Sequence, residues 1–379
     1  MFVTGGDDMI YVVKQGDTLF SIANNTGVPA WKIAFDNQLG TPDQLAIGQA
    51  LLILQPEEKS ELRGGMYVTG YAYPFIEPYI LEQAFPALNE LLVFSYGFTF
   101  EGELVPPPQD DLWMIESAWE NGIEPLLVLT PFSNGAFNNQ LVKVLVENQE
   151  IQDVLIQNVL TTVQERGFSG VDIDFEYILP ENRIQYAEFV GNMREVMSAN
   201  GYKTSVALAP KERTDQPGLL YEGIDYGLLG ENADFVFLMT YEWGYTYGPP
   251  MAVAPLNKVR QVVEYSLTEI PQEKILMGIP NYGYDWALPY EKGITKAQLI
   301  GNVEAVHIAA ENGAQIQYAE IAKSPYFTYR KNGVTHEVWF EDVRSITEKV
   351  NLAVEFGLFG VGYWNLMRPF RANWLLMEK

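Results

Sequence analysis

Cysteine is absent from the sequence, and histidine is almost absent: His307 and His336 are the two histidines among 379 residues. A chain without cysteine has no disulfide and no thiolate metal site. Neither histidine stands at a metal-ligand spacing, and a catalytic triad with a histidine base is not expected. We therefore predict a protein that uses no metal and no other cofactor.

Positive charge is also scarce, and long apolar runs are missing. The 24 Lys and Arg stand against 49 Asp and Glu, which gives a formal net charge of −25. Such a chain is not expected to bind nucleic acid or an anionic membrane, and no apolar run reaches the roughly 18 residues of a membrane span. The ligand should be neutral or weakly acidic. The 22 Tyr and 8 Trp suit a cleft in which rings stack on sugars, although most belong in the core.

Residues 9–54 form a small unit with the order β-α-α-β. Ile10–Val13 is a short apolar strand, and residues 16–18 turn the chain and supply the N-cap of a first helix. Gly27 ends this helix, because a glycine after an apolar periodic segment is a typical helix stop. A second helix follows, and the apolar residues 51–54 form the closing strand.

This order, with the segments Tyr11–Leu19 and Ile47–Leu51, resembles the lysin motif (LysM), a module that binds polymers of N-acetylglucosamine. The resemblance implies that the sugar lies between the loop 15–19 and the loop 46–49. The binding residues that it implies are Gly16, Asp17 and Thr18. Turn and cap chemistry alone also accounts for these three residue types, and both roles stay open.

The rest of the chain alternates apolar strand candidates with amphipathic helical segments. Residues 55–65 are charged and end in Gly-Gly, which indicates a polar linker between modules that fold separately. Eight β/α units within residues 66–379 predict an α/β fold, the (β/α)8 TIM barrel. The strand candidates are 67–73, 91–98, 125–130, 170–176, 204–209, 234–241, 275–281 and 358–364, and two clear helical segments are 141–166 and 183–199.

One connection is too long for a simple barrel. Residues 284–338, between the seventh and eighth strands, exceed a single helical crossover. Within them, residues 324–340 alternate as a hairpin whose turn is Asn332-Gly333, a strong signal for a two-residue hairpin loop. We therefore predict a small inserted α+β subdomain at about 284–338.

Carboxyl groups alternate with apolar side chains along Gly170–Ile178, which contains the fourth strand candidate, 170–176. In a strand, Asp172, Asp174 and Glu176 share one face. A structural strand has no use for this arrangement, because buried unpaired carboxylates are costly. An enzyme that needs a general acid with a raised pKa beside an ionised neighbour does have a use for it. The strand ends at the C-terminal face of the barrel, where barrel enzymes keep their active sites.

The same segment resembles the signature Asp-Gly-x-Asp-x-Asp-x-Glu of glycoside hydrolase family 18, the chitinase-like hydrolases, with Ser169 in place of the first Asp. The resemblance extends to Leu238–Gly244, where Glu242 takes the acidic position of a Met-x-Tyr-Asp signature. It also covers Gly278–Trp286 and Gly360–Asn365. Three further segments are similar to a LysM-bearing subgroup that acts on spore-cortex peptidoglycan; they are Ala207–Arg213, Asp215–Tyr221 and His336–Asp342.

This resemblance implies hydrolysis with retention of configuration, assisted by the substrate. Glu176 would protonate the glycosidic oxygen while the 2-acetamido oxygen of the sugar attacks the anomeric carbon. Asp174 would orient the acetamide, and Asp172 would hold Asp174. Tyr241 would hydrogen-bond the acetamide, and Trp364 would form the apolar floor. Purely structural roles stay open for Asp172, Tyr241 and Trp364. The other substrate-binding residues expected are Glu242, Trp243, Asn281 and Tyr282.

Three functions are open on this reading. The first is an N-acetylglucosaminidase or endo-hydrolase of peptidoglycan, with spore cortex favoured; the second is a chitinase or chitooligosaccharide hydrolase. The third is a non-catalytic peptidoglycan- or chitin-binding protein, which the presence of Glu176 disfavours. The expected partner is the polysaccharide, and the protein should be a monomer. The first eight residues lack the features of a cleaved export signal, so either the protein is not exported by one or the sequence given lacks it. The expected location is the spore coat, the cortex or the cell wall.

Overall fold

The computed structural model describes residues 3–4, 9–40, 44–56, 59–133 and 136–379. Eight parallel strands form a closed barrel, because each pairs with its predecessor along the chain and the eighth pairs with the first. Their residues are almost all buried, as expected for parallel strands covered by helices. From first to eighth, they are Tyr67–Ala72, Glu90–Phe98, Glu124–Leu129, Gly170–Ile173, Lys203–Leu208, Phe235–Leu238, Ile275–Pro280 and Gly360–Trp364.

Helices follow every barrel strand and cover the outside of the barrel, so the predicted (β/α)8 class is confirmed. The predicted helical segment 141–166 is two helices, because Asn148 accepts hydrogen bonds from the amides of Glu150 and Ile151 and starts a new helix. Within the described ranges, no helix is long and apolar enough to cross a membrane. The helices are Pro78–Ala84, Leu112–Glu120, Asn139–Val146, Gln149–Arg166, Arg183–Ala199, Tyr226–Asn232, Leu256–Ser266, Val343–Glu355 and Arg371–Leu376.

The fourth strand is shorter than the predicted 170–176. It ends at Ile173, although the amide of Asp174 still donates to the carbonyl oxygen of Leu129 on the third strand, at 2.9 Å. The sixth strand likewise ends at Leu238, before the predicted 241. Asp172 lies within the fourth strand, but Asp174, Glu176 and Glu242 follow the strands. They therefore sit at the C-terminal face of the barrel.

An inserted subdomain follows the seventh strand. It contains a five-stranded antiparallel sheet and one helix, Asn302–Glu311. The hairpin turn at Asn332 and Gly333 has φ angles of 51° and 81°, as the sequence predicts for a turn that needs positive φ at both positions. The strands of this sheet are Gly283–Leu288, Gln298–Ile300, Gln317–Ala319, Ser324–Lys331 and Val334–Trp339.

The N-terminal unit has the predicted β-α-α-β order. Strands Met9–Val12 and Ala50–Ile53 pair in antiparallel fashion around helices Leu19–Thr26 and Ala30–Asp36. A further short strand, Val3–Thr4, pairs with the first of them and was not predicted from the sequence. The first helix has a capping box at its start and a left-handed glycine at its end.

This unit is docked on the rest of the molecule. Ile10, Leu52 and Leu54 belong to the apolar core of the barrel, and Ala46 belongs to the core of the inserted subdomain. The backbone amide of Ile316 donates to the carbonyl oxygen of Ile47, at 2.8 Å. The unit therefore shares two cores with its neighbours, and separate folding of the modules stays a prediction.

The predicted linker, 55–65, is itself partly built into the barrel; its residues 57 and 58 lie outside the described residues. Arg63 is 5% exposed, and its guanidinium donates to the carbonyl oxygens of Met66, Ala87 and Met377. The polar, glycine-containing segment suggested that Arg63 is exposed to solvent. Instead, Arg63 satisfies backbone carbonyl oxygens at the end of the barrel where the strands begin. The proposed limits of the domains, 9–54 and 66–379, stay predictions.

Candidate active site

The three carboxyls of the fourth strand lie inside the barrel, near its C-terminal end. Asp172 is fully buried and accepts a hydrogen bond from the Tyr71 hydroxyl at 2.9 Å and one from the Ser205 hydroxyl at 2.6 Å. Asp174 is 5% exposed, and its Oδ1 accepts no hydrogen bond from the residues that the structure describes. Glu176 is half-buried. The Asp172 carboxyl is thus fixed by hydrogen bonds from the protein, whereas Asp174 Oδ1 is free to accept one from a ligand.

Burial and mutual repulsion keep protons on this group. Burial raises the pKa of Asp172 to about 6, although the hydrogen bonds from Ser205 and Tyr71 oppose the rise. Burial, followed by the charges of Glu176 and Asp172, holds the pKa of Asp174 well above its usual range. Carboxyls this close titrate together, so the group shares protons near neutral pH.

Glu176 has the pKa that a general acid needs. Burial, with the nearby charge of Glu242, raises the pKa of Glu176 to about 7. A general acid works best when its pKa lies near the pH at which the enzyme operates. The half-buried position also leaves the Glu176 carboxyl accessible from the cleft, in contrast to the fully enclosed Asp172.

A cavity of about 600 Å³ opens above these carboxyls. Trp364, at the end of the eighth strand, lines it and packs edge-to-face on Phe94 and Tyr71 at 5.0 and 5.5 Å between ring centroids. The lining is mostly apolar and aromatic, and its charged residues among those described are Asp174, Glu176 and Glu242. Such a cavity suits a neutral sugar that presents a C–H face to the rings.

Tyr241 and Glu242 follow the sixth strand and also line the cavity. Burial, then the charges of Asp174 and Glu176, holds the pKa of Tyr241 well above its usual range, so its hydroxyl remains a donor. Glu242, with a φ of 68°, stands exposed at the rim. It accepts hydrogen bonds from the hydroxyls of Tyr282 and, at 3.1 Å, of Tyr284. Partial loss of hydration raises the pKa of Glu242, and these hydroxyls oppose the rise.

Three of the residues expected to bind substrate do not line the cavity. Asn281 is 2% exposed, and its amide donates to the carbonyl oxygens of Asn365 and Arg368, both at 3.0 Å, so it fixes the loop after the eighth strand. Tyr282 is 4% exposed and is committed to Glu242. Trp243 packs against the barrel core. Asn281 and Tyr282 thus hold neighbouring residues in place, and a role in substrate binding stays a prediction for all three.

The residues predicted to bind sugar in the N-terminal unit have local partners. Gly16 has a φ of 88°, and Asp17 accepts hydrogen bonds from the Tyr11 hydroxyl and the Lys14 amide, both at 2.8 Å. Thr18 caps the first helix. Turn and cap chemistry is therefore present at all three positions, and a role in sugar binding stays a prediction. These residues lie in a different part of the molecule from the cavity.

Several cavity residues were not found from the sequence. Tyr73 is the last residue of the first strand candidate and follows the observed strand, so a search for aromatic residues at the strand ends would have identified it. The other walls come from the segments after the second, third and fifth strands. Of these, only Asp215–Tyr221 was singled out from the sequence, for its resemblance and without a role for its residues. The wall residues include Pro107, Pro108, Phe132, Phe137, Leu220 and Tyr221.

Comparisons with known sequences agree with this geometry. The family model described as Glycosyl hydrolases family 18 matches residues 133–368, and the LysM domain model matches residues 11–53. A cortical fragment-lytic enzyme of Bacillus subtilis (strain 168) is 39% identical over 420 aligned positions, which cover 97% of each chain. The match therefore extends over both the N-terminal unit and the barrel.

Solved structures give the same picture. The crystal structure of the spore cortex-lytic enzyme SleL of Bacillus megaterium QM B1551 has a TM-score of 0.91 and 34% identity, with 98% of each chain covered. A chitinase of Chromobacterium violaceum ATCC 12472, 24% identical over 82% of this chain, shares the fold with a TM-score of 0.77. The chain therefore belongs to glycoside hydrolase family 18, and it is a glycoside hydrolase of the LysM-bearing kind.

Proposed function

We propose that this protein is a retaining N-acetylglucosaminidase that cleaves β-1,4 bonds of spore-cortex peptidoglycan with the help of the substrate's own acetamido group. The observation that carries the proposal is the pair Asp174 and Glu176 at the base of an aromatic cavity, one with a free buried acceptor and one with a pKa of about 7. The relatives named above support cortex as the substrate, and the spore cortex or cell wall as the place of action.

In the first step Glu176 donates its proton to the glycosidic oxygen as the bond to the anomeric carbon breaks. The acetamido oxygen of the same sugar forms the new bond to that carbon, which produces an oxazolinium ion. Asp174 Oδ1 has no donor among the described residues, so it is available to accept the acetamide N–H and to balance the developing positive charge. The Tyr241 hydroxyl would donate to the acetamide from the other side.

In the second step Glu176, now ionised, takes a proton from water as the water oxygen attacks the anomeric carbon. The oxazolinium ring opens, and configuration at that carbon is retained. Asp172 cannot contact the sugar, because it is fully buried and both its oxygens already accept hydrogen bonds. Its role is to position Asp174 and to share protons with it.

A chitooligosaccharide hydrolase is the second candidate. The observation that favours it is that every protein group in the proposed mechanism acts on a single N-acetylglucosamine residue. Chitin and peptidoglycan both contain this sugar. The cavity lining alone contains no feature that requires a muramic acid residue. The choice between the two polymers therefore depends on groups outside the cavity.

The test is to incubate the protein with cortex fragments and with chitooligosaccharides and to identify the new reducing ends by mass spectrometry after borohydride reduction. We expect N-acetylglucosamine at the reducing ends released from cortex fragments, and no release by Glu176→Gln. Reducing ends of muramic acid, or cleavage of chitooligosaccharides with none of cortex, would contradict the proposed function.

A further inference from the structure

Arg368 differs from the other nine arginines of the chain. Each of those nine has a partner for its guanidinium, either a carboxylate or a carbonyl oxygen. Arg368 is half-buried, and its guanidinium has neither a hydrogen bond nor an ion pair with any residue in the described ranges. A guanidinium that no protein group engages keeps its five N–H donors available to an anion.

Arg368 occupies a fixed position beside the active site. It lies four residues after Trp364, and its carbonyl oxygen accepts the hydrogen bond from the buried Asn281. On its other side, the side chain runs along the inserted subdomain: a Cβ placed on Gly301 would lie 3.3 Å from Arg368 Cδ. The residue is therefore held between the rim of the cavity and the insertion.

The positive charge of Arg368 acts on Tyr284, which contacts the rim residue Glu242. Tyr284 donates to Glu242 at 3.1 Å, and Glu242 lines the cavity. Burial and the charge of Glu242 raise the pKa of Tyr284, whereas the positive charge of Arg368 opposes the rise. The strand register gives the same placement: Gly301, which the Arg368 side chain passes, follows Ile300, and Ile300 pairs with Gly283. The neighbours of Gly283, Tyr282 and Tyr284, both donate to Glu242, so Arg368 lies on the insertion side of this rim residue.

The cavity and the insertion side of its rim have opposite charge. Asp174, Glu176 and Glu242 are the charged residues among the described lining, so an anionic sugar would be repelled there. Arg368 offers five N–H donors to an anion at the adjoining position. An alternating polymer of neutral and carboxylate-bearing sugars matches this arrangement, because its neutral residues always neighbour its acidic ones.

We propose that Arg368 binds a carboxylate on the sugar that adjoins the N-acetylglucosamine held in the cavity. This inference rests on the proposed function and deepens it, because it names the group that distinguishes peptidoglycan from chitin. On a muramic acid residue, that carboxylate is either the free lactyl group or the terminal carboxylate of a short peptide attached to it. Arg368 acts as a specificity residue, and the bond-breaking steps do not depend on it.

The experiment compares Arg368→Gln with the wild-type full chain on four tetrasaccharides. Two are alternating N-acetylglucosamine–N-acetylmuramic acid chains, one with free lactyl carboxylates and one with L-alanine attached to them. The third has the lactyl groups converted to methylamides, and the fourth is chitotetraose. We expect kcat/KM of Arg368→Gln to fall about tenfold or more on a carboxylate substrate, as loss of a charge-assisted hydrogen bond predicts. On the two neutral substrates it should stay within about twofold of wild type.

Two variants serve as controls. Arg330→Gln removes an arginine from the insertion hairpin, where the guanidinium donates to the Gly333 carbonyl oxygen, and should leave all four rates unchanged. Arg368→Lys keeps a positive charge and should restore part of the preference. Binding of the four sugars to Arg368→Gln in a Glu176→Gln background, by calorimetry, gives a readout that does not depend on turnover.

A loss on either or both carboxylate substrates, with none on the neutral pair, supports the proposal, and a loss on one alone identifies the source of the carboxylate. Equal losses on all four substrates, or no loss on any, would overturn it. These results are distinct from a failure of the proposed function, because that failure would appear in the wild type as cleavage of chitotetraose alone or of no substrate.

Discussion

Two groups of carboxyls occupy opposite ends of the same barrel, and they differ in whether a cation is paired with them. Where the strands begin, Glu90 is 4% exposed but bonds to Lys203 Nζ at 2.5 Å, and Lys203 also pairs with Glu124. Where the strands end, Asp172 and Asp174 are as deeply buried and have no cation partner in the described ranges. The first group is neutralised by a lysine, and the second must be neutralised by protons.

This difference separates stability from activity. A buried carboxylate with a lysine partner contributes a fixed ion pair, and removal of one partner leaves an uncompensated charge. Carboxyls without a cation hold protons at neutral pH, and a proton is what the glycosidic oxygen requires. Substitutions at one end should therefore change unfolding, and substitutions at the other should change turnover.

The largest effect is expected for Glu176→Gln. The substitution keeps the shape and removes the transferable proton, so kcat should fall about 10²–10⁴-fold or more. The midpoint of thermal unfolding should stay the same or rise, because an amide costs less to bury than a carboxylate. Rates on cortex fragments and melting curves of the same preparation measure both. An active Glu176→Gln protein would refute the assignment of the acid.

Lys203→Met should show the reverse pattern. It leaves Glu90 and Glu124 near the bottom of the barrel without their cation, so the free energy of unfolding should fall by roughly 2–4 kcal/mol while kcat is unchanged. The control is Lys143→Met: Lys143 forms only long, exposed pairs with Glu147 and Glu181, at 3.9 and 3.8 Å. Its loss should cost at most about 0.5 kcal/mol. If urea unfolding gave similar losses of free energy for Lys203→Met and Lys143→Met, the buried ion pair would not be the source of the stability.

The pH dependence should follow the protons at the catalytic end. The pKa of Glu176 is about 7 in the fold, whereas an unfolded glutamate titrates near 4.3. The folded state thus binds this proton more strongly, and the stabilisation is complete below about pH 4 and lost as pH rises through about 7. Glu176→Gln should gain stability relative to wild type over that window, measured by urea unfolding at pH 4–8. Wild-type kcat should fall above about pH 7; a flat profile there would exclude Glu176 as the acid.

The smallest effect is expected from Tyr71→Phe, which removes one of the two donors to Asp172. Loss of a hydrogen bond to the charged form should raise the shared pKa of Asp172 and Asp174, so the acid limb of the pH–kcat profile should move to higher pH. Tyr363→Phe is the matched control, since its buried hydroxyl bonds to Asn373 instead of a carboxylate. A shift of equal size in both variants would show that packing, and not protonation, is responsible.

The barrel was predictable from the sequence because its strands are short apolar runs at regular spacing, and the catalytic face because Asp172, Asp174 and Glu176 alternate with apolar residues. The end of the fourth strand was not predictable, since alternation continues through Asp174 after the ladder has stopped. The docking of the N-terminal unit was also hidden. From the sequence, Ile10 and Leu52 look like core residues of the N-terminal unit itself. Only the three-dimensional structure shows that they pack on the barrel.

The loop 46–49 gives the N-terminal unit a further property. A module on a flexible tether samples a volume, and its benefit depends on the local concentration that the tether sets. Here the carbonyl oxygens of Ile47 and Gly48 accept hydrogen bonds from Ile316 and Arg344, so the unit keeps one orientation relative to the insertion beside the cleft. If the unit binds a glycan strand that also enters the cavity, this fixed orientation would set the number of sugars between the bound point and the cleaved bond.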